Sequence, residues 1–193
     1  MNVELLASNL KDLGYAVNVF DCKEDAAKYL CANINNTSVG IGGSVTVQEL
    51  NLYEELAKNN DVYWHWEKAE IAKANSADVY LSSVNGISMD GEIINIDGTG
   101  NRVASILYGH KKVYLIFGIN KIAENYELAL DRARNIAAVK NAIRLKKNTP
   151  CVKTGKCMNC KSPERICRGL TVLWEKPKGQ DYKIIIVKEE LGY

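Results

Sequence analysis

The sequence predicts an α/β protein in which a mainly parallel sheet lies between two layers of helices. Apolar runs of strand length alternate with segments of helical periodicity along the chain. Glycine-bearing turns follow two of the predicted strands and lead into helices, an arrangement typical of ligand sites in parallel sheets. With 193 residues, of which 47% are hydrophobic, the chain is long enough to form a single domain over residues 1–193 with one core.

Five helices are predicted from apolar spacing and capping signals. The third begins with a capping-box pattern in which Thr46 is followed by Glu49. In the last, Ile136 and Ile143 belong to the predicted inward face, whereas Arg132 is expected to point to solvent. The predicted helices cover residues 3–13, 25–33, 46–58, 101–108 and 126–146.

Strands are predicted where short apolar or β-branched runs are bounded by turn residues. The Asp90-Gly91 pair marks a tight turn between two short strands. A turn at residues 176–179 joins the last two strands, which we expect to form a C-terminal hairpin at a sheet edge over residues 170–188. The other predicted strands cover residues 15–20, 38–41, 61–66, 78–83 and 112–118.

The first glycine-rich turn connects the predicted strand at residues 38–41 to the helix after it. Glycine lets the backbone approach a ligand closely, and the N–H groups at a helix start attract an anion. The alternative is a tight turn in which glycine serves only the geometry. The predicted ligand contacts in this turn are Gly42, Gly43, Ser44 and Thr46.

A second glycine-rich turn also runs from a strand into a helix. Its candidate catalytic residues are Asp97, which has the chemistry of a base or hydrogen-bond acceptor, and Arg102, which suits an anion. The alternative is that Asp97 caps the turn and Arg102 lies exposed on a helix. The predicted ligand contacts around them are Gly98, Thr99, Gly100 and Asn101.

Four cysteines are concentrated in a loop at about residues 150–168, with the spacing C-x5-C-x2-C-x6-C. Pro150, Gly155 and Pro163 prevent this loop from forming one long helix, so its thiolates can gather around one centre. Thiolates at this density typically hold zinc or a four-iron iron–sulfur cluster, and disulfides or free thiols are the alternatives. The predicted ligands are Cys151, Cys157, Cys160 and Cys167.

Charge and hydropathy limit the classes of partner. A formal net charge of +2 gives no electrostatic reason to expect binding to nucleic acid or to an anionic membrane. We find neither a signal-peptide pattern nor an apolar run of membrane-spanning length, so a cytoplasmic location is expected. Stable disulfides are rare in that compartment, which favours a metal or redox role for the cysteines.

Three segments, in this order, resemble the LUD domain of lactate-utilization proteins. They are GGSVT at residues 42–46, NGISMDGEIINIDGTGNRVA at 85–104, and the strand and turn at 111–121. The resemblance implies a fold like that of ribose-5-phosphate isomerase and the CoA transferases, with residues 42–46 and 97–102 as ligand-binding loops. It also implies a link to the conversion of lactate to pyruvate, with partner subunits that carry iron–sulfur clusters. The glutamate nucleophile of the CoA transferases has no recognisable counterpart in this chain.

Three functions remain open on this basis. The favoured one is an oxidoreductase component that binds a small anionic metabolite at the glycine turns and an iron–sulfur cluster or zinc at the cysteines. The second is an isomerase- or transferase-like enzyme for a phosphorylated or CoA-linked metabolite, with zinc serving only structure. The third is a non-catalytic assembly subunit. A homodimer is compatible with an exposed edge strand, which can pair with a second copy.

Overall fold

The computed structural model describes residues 2–67 and 69–193 of the chain. Strands and helices alternate through this part as the sequence predicts. The strands are β1 (Ala16–Phe20), β2 (Ser38–Ile41), β3 (Asp61–Trp64), β4 (Val79–Ser82), β5 (Gly86–Ser88), β6 (Ile93–Asp97), β7 (Lys112–Gly118), β8 (Ile122–Ala123), β9 (Gly169–Leu173) and β10 (Asp181–Val187). The α-helices are α1 (Val3–Asp12), α2 (Lys23–Asn33), α3 (Val45–Glu49), α4 (Tyr53–Ala57), α5 (Ile71–Asn75), α6 (Asn101–Leu107), α7 (Tyr126–Arg132), α8 (Ala138–Arg144) and α9 (Pro150–Thr154).

The central sheet is parallel throughout and has the strand order β1-β10-β7-β4-β2-β3. Both of its faces are covered, as the alternating side chains of β10 show. Ile184 and Ile186 belong to one apolar cluster, which includes Leu6 and Leu10 of α1. Ile185 belongs to the opposite cluster, which includes Leu30 of α2. The three-layer α/β/α prediction is therefore confirmed.

A second, four-stranded sheet has the order β8-β5-β6-β9. Strands β5 and β6 pair antiparallel across the predicted Asp90-Gly91 turn. Gly91 has a φ of +99°, a left-handed conformation that side chains disfavour, so the glycine is needed there. This sheet brings the second glycine-rich turn, which follows β6, towards the central sheet.

The predicted C-terminal hairpin is wrong, because the last two strands belong to different sheets. Strand β9 pairs antiparallel with β6, whereas β10 lies inside the central sheet between β1 and β7. The physical reason is the run Ile184, Ile185 and Ile186, which is fully buried on both faces. A strand buried on both faces belongs in the middle of a parallel sheet and not at an edge.

The helix predicted at residues 46–58 is interrupted between α3 and α4. Asn51 adopts a left-handed φ of +50°, which ends one helix before the next begins. The capping-box assignment is also wrong, because the cap is Ser44, whose Oγ accepts a hydrogen bond from the Val47 N–H at 3.2 Å. Thr46 and Glu49 are thereby free for other contacts.

The long predicted helix contains a π-helical turn, Ala133–Ala137, between α7 and α8. A π turn inserts an extra residue and so rotates the face that follows it. Ile136 and Ile143, for which the sequence predicts inward positions, are 41% and 49% exposed. Arg132, for which it predicts an outward position, is only 7% exposed. Its spacing of three residues from buried Ala129 places it on the inward face.

Strand β2 passes so close to α5 that a side chain at Gly40 has no room. A Cβ atom there would lie 2.1 Å from the carbonyl oxygen of Ala74. We therefore expect Gly40→Ala to lower the free energy of unfolding by about 1–3 kcal/mol, the usual cost of overpacking. Urea denaturation measures this, with Gly169→Ala as the matched control, because a Cβ at Gly169 meets only an ordinary contact at 3.9 Å. Equal losses in the two variants would contradict the expectation.

Candidate functional site

Three polar side chains meet where three neighbouring strands of the central sheet end. Thr46 follows β2, Ser83 follows β4, and Lys121 follows β7 at the end of the 3-10 turn Ile119–Lys121. Strands β7, β4 and β2 are adjacent and parallel, so their carboxyl ends share one edge of the sheet. That edge is where open parallel sheets place their ligand crevices.

Lys121 is the centre of this group and is only 3% exposed. Its Nζ donates hydrogen bonds to Thr46 Oγ1 at 2.7 Å and to Ser83 Oγ at 3.0 Å. The two hydroxyls also contact each other, because Ser83 Oγ donates to Thr46 Oγ1 at 3.3 Å. Both acceptors of the lysine are therefore neutral.

Arg102, at the start of α6, approaches the same group from the second sheet. Its Nη1 donates to Asn95 Oδ1 at 2.6 Å and to the Ser83 carbonyl at 3.4 Å. Its Nη2 donates to the Ile96 carbonyl at 2.6 Å and to Asn85 Oδ1 at 3.1 Å. The guanidinium is held firmly in place, again by neutral oxygen atoms.

Arg132 is the third cation, behind Lys121. Its Nε donates to the Asn120 carbonyl at 2.7 Å and its Nη1 to the Asn85 carbonyl at 2.6 Å. Burial lowers the pKa of Arg132 to about 10. Arg132 thus adds a buried positive charge next to the turn that carries the lysine.

No carboxylate of residues 2–67 or 69–193 lies within 4 Å of the charged nitrogens of Lys121, Arg102 or Arg132. Burial, followed by repulsion from Arg132 and Arg102, lowers the pKa of Lys121 to about 7, and Glu49 opposes this only weakly. Burial also lowers the pKa of Arg102, against the attraction of the Asp97 carboxylate. Buried cations without an anionic partner are costly, and such sites are candidates for ligand binding.

The two nearby carboxylates are engaged in other contacts. Asp97 accepts hydrogen bonds from the backbone N–H groups of Thr99, Arg102 and Val103 at 3.0–3.2 Å, and so caps α6. Glu49 Oε2 accepts the Gly192 N–H at 2.7 Å. Each carboxylate therefore orders backbone near the site without neutralising the lysine.

A pocket of about 550 Å³ opens above Lys121, Ser83 and Arg102. The structure brings the two predicted glycine-rich turns together around it. The predicted residues in its lining are Gly43, Ser44, Thr46, Asp97, Gly98, Thr99, Asn101 and Arg102. Gly42 and Gly100 are absent from the lining, although Gly42 has a packing role, because a Cβ there would lie 2.7 Å from the Tyr80 hydroxyl.

The cysteine segment forms another wall of the pocket. It starts with α9 and then follows an irregular path to β9. Arg168 N donates to the Asp97 carbonyl at 2.9 Å, and the Ile166 carbonyl leaves no space for a side chain at Gly98. Arg165 lines the pocket and donates to the carbonyls of Cys160 and Cys167 at 2.9 and 2.7 Å.

The four predicted metal ligands are free, partly exposed thiols. Cys151 Sγ lies 3.2 Å from Thr149 Oγ1, and Cys157 Sγ accepts a long hydrogen bond from Arg134 Nη2 at 3.7 Å. Across the described residues, no three cysteine, histidine, aspartate or glutamate side chains converge to hold a metal ion. As arranged, the thiols do not form a ligand set, and the zinc or iron–sulfur centre stays a prediction of the sequence.

The matched family decides where this chain belongs. The family model of the LUD domain matches residues 3–187 of this chain. The chain is a member of the LUD-domain family. The fold of this LUD domain is similar to the crystal structure of a DUF162 family protein from Deinococcus radiodurans, with a TM-score of 0.53 and 15% identity over 96% of this chain and 95% of that chain. None of the curated proteins matches this sequence.

Sequence reasoning missed Ser83 and Lys121, which line the pocket of the LUD domain, and Arg132, which binds the carbonyl group of Asn120 next to Lys121. A signal was present for two of them, because Ser83 directly follows the buried strand β4 and Lys121 ends the short turn after the buried strand β7. A polar residue just past the carboxyl end of a buried parallel strand is a candidate site residue. Arg132 had no such signal.

In the described part of the chain, no helix is both long and apolar enough to cross a membrane.

Lys121 should make the stability of the LUD domain depend on pH. Its pKa is about 7 in the folded chain and 10.5 ordinarily, so the unfolded chain binds more protons between these values. Below this window the lysine is charged in the folded chain, and its burial lowers the free energy of unfolding by the full amount. Within the window the free energy of unfolding should rise with pH, by up to about 1.4 kcal/mol per pH unit. In Lys121→Met this contribution is absent. Urea denaturation between about pH 6 and pH 9 measures this contribution in wild type, in Lys121→Met and in the exposed control Lys73→Met. If the free energy of unfolding depends on pH in the same way in all three proteins, the expectation is contradicted.

The cysteine hypothesis has an equally direct test. If the four thiolates bind zinc or a cluster, anaerobically purified protein contains the metal in stoichiometric amount, and Cys157→Ala loses it because a ligand is removed. Elemental analysis and the visible spectrum measure the outcome, with Cys31→Ala as the control outside the segment. If wild type and variant both contain only trace amounts of metal, the hypothesis is contradicted.

Proposed function

We propose that this LUD-domain protein binds a small carboxylic acid of the lactate and pyruvate type in the pocket above Lys121. One observation carries the proposal. Lys121, Arg102 and Arg132 place three positive charges at one site, and their hydrogen bonds go to neutral oxygen atoms of hydroxyl, amide and carbonyl groups. An anionic ligand supplies the missing negative charge.

The hydrogen bonds of Lys121 support a specific position for that anion. A protonated lysine has three N–H donors. Thr46 and Ser83 accept from two of them, and among the described residues no third acceptor contacts Nζ. The remaining donor is available to a carboxylate in the pocket, whose binding would raise the pKa of the lysine.

The resemblance to lactate-utilization proteins supplies the metabolic setting. Conversion of a 2-hydroxy acid to a 2-oxo acid releases an electron pair and needs an acceptor. We propose that partner subunits with iron–sulfur clusters provide it, and that this chain is the acid-binding component of such an oxidoreductase in the cytoplasm. A centre at Cys151, Cys157, Cys160 and Cys167 would add a further electron carrier next to the pocket.

A phosphorylated or CoA-linked metabolite is the second candidate ligand, and the outer part of the pocket favours it. The volume of about 550 Å³ lies well within the range of sites for larger ligands. Further cations line the pocket beyond Lys121 and Arg102, and they suit phosphate groups. They are Arg144, Lys147, Arg165 and Arg168.

Calorimetry with pyruvate and L-lactate at about pH 6.5 tests acid binding. We expect both acids to bind wild type and Lys121→Met to bind at least about tenfold more weakly, since a charged hydrogen bond is lost. The control Lys73→Met changes an exposed lysine outside the pocket and should bind like wild type.

The same titrations with ribose 5-phosphate and free CoA distinguish the candidates. Tighter binding of either than of pyruvate, reduced by Arg144→Met, would favour the phosphorylated ligand. Equal affinity of wild type and Lys121→Met for the acids, or no binding heat for any acid, contradicts the proposed function.

A further inference from the structure

We propose that Lys121 is a catalytic nucleophile that condenses with the carbonyl group of a 2-oxo acid to form an imine. The inference rests on the proposed acid-binding function of the same pocket and extends it from recognition to covalent chemistry. It also selects the substrate class, because a 2-oxo acid has the carbonyl carbon that an amine attacks and a 2-hydroxy acid has none.

The position of the amine supports this role. Lys121 lines the pocket, so a bound acid has direct access to it. A neutral amine has two N–H bonds and one lone pair, and the two N–H bonds match the two hydroxyl acceptors of Thr46 and Ser83. With both N–H groups directed at these hydroxyls, the lone pair points away from them. Among the described residues, no other donor or acceptor contacts Nζ.

The charges around Lys121 favour the neutral form. A lysine becomes a nucleophile when it is desolvated or lies next to another cation. Lys121 meets both conditions, because it is buried and its pKa is lowered by burial and then by Arg132 and Arg102, against the small opposing effect of Glu49. Below its pKa the protonated lysine binds the carboxylate. Above it the neutral amine can attack, while Arg102, which lines the pocket and as an arginine stays charged, still attracts the carboxylate of the substrate.

The step needs no oxidant and no further reactant. The Nζ lone pair forms a bond to the carbonyl carbon, and the carbonyl oxygen becomes the hydroxyl of a carbinolamine. The carbon–oxygen bond then breaks, and the oxygen leaves as water with both protons of the amine. A carbon–nitrogen double bond remains. The hydroxyls of Thr46 and Ser83 accept hydrogen bonds from Nζ, so we assign them the transfer of these protons to the oxygen.

Reductive trapping tests the proposal on the full chain. Wild type is incubated with pyruvate and sodium cyanoborohydride, digested and mapped by mass spectrometry. We expect a 1-carboxyethyl group on Lys121 in preference to exposed lysines. In Lys121→Arg, which keeps a cation but has no amine nucleophile, modification at position 121 should be at least about tenfold lower. The control Lys73→Met should give the wild-type level at Lys121, and L-lactate should give no adduct.

The pH profile separates a nucleophile from a merely structural lysine. Trapping at Lys121 should rise as pH increases through about 7, where its amine is freed, whereas exposed lysines should respond only near their ordinary pKa of about 10. Modification spread over exposed lysines without preference for Lys121 overturns the imine. If calorimetry still shows pyruvate binding in that case, acid binding stands and only the covalent step fails; if pyruvate does not bind at all, the proposed function fails with it.

Discussion

The structure depends on one electrostatic constraint: positive charge collects at the carboxyl edge of the central sheet, and in the described part of the chain no carboxylate lies within 4 Å of its charged nitrogens. Lys121 and Arg132 are buried and Arg102 is firmly held, and their hydrogen bonds go to hydroxyl, amide and carbonyl oxygens. Taking a charge out of water costs several kcal/mol unless an opposite charge compensates. A lowered pKa of Lys121 reduces this cost, and a bound anion would reduce it further. The proposed ligand recognition and the proposed amine reactivity therefore have the same physical origin.

The fold produces this constraint through features that reinforce one another. Adjacent parallel strands β7, β4 and β2 end at one edge and deliver Lys121, Ser83 and Thr46 to the same point. The second sheet contributes Arg102, whose donors are matched to amide and carbonyl oxygens around β6. The cysteine segment closes the pocket from outside and is tied to the Asp97 turn by hydrogen bonding. The cysteines therefore belong to the same segment as this wall of the pocket.

The sequence predicted the architecture well because buried parallel strands have an unmistakable pattern. The sequence-based prediction was wrong where contacts between distant segments determine the structure. The order of strands is not encoded in local pattern, so the sequence predicts β10 in an edge hairpin, although its buried apolar run suits the interior of a sheet. The π turn at Ala133–Ala137 has no local signature, and it moved Ile136 and Ile143 outward. The sequence predicts Arg132 at the surface because a charged side chain is rarely buried. The lowered pKa of Lys121 depends on neighbours that are distant in the sequence, so the local pattern around Lys121 does not indicate it.

A direct determination of the lysine pKa in the folded protein tests the central claim most sharply. Side-chain NMR of lysine Cε and Nζ across a pH titration resolves individual amines, and Lys121→Met assigns the relevant signal. We predict that one lysine of the ligand-free protein titrates near pH 7, and that saturating pyruvate moves its titration. If every lysine instead titrates near its ordinary pKa of about 10, the pocket does not hold an uncompensated buried cation, and the common electrostatic origin of acid binding and amine reactivity is contradicted.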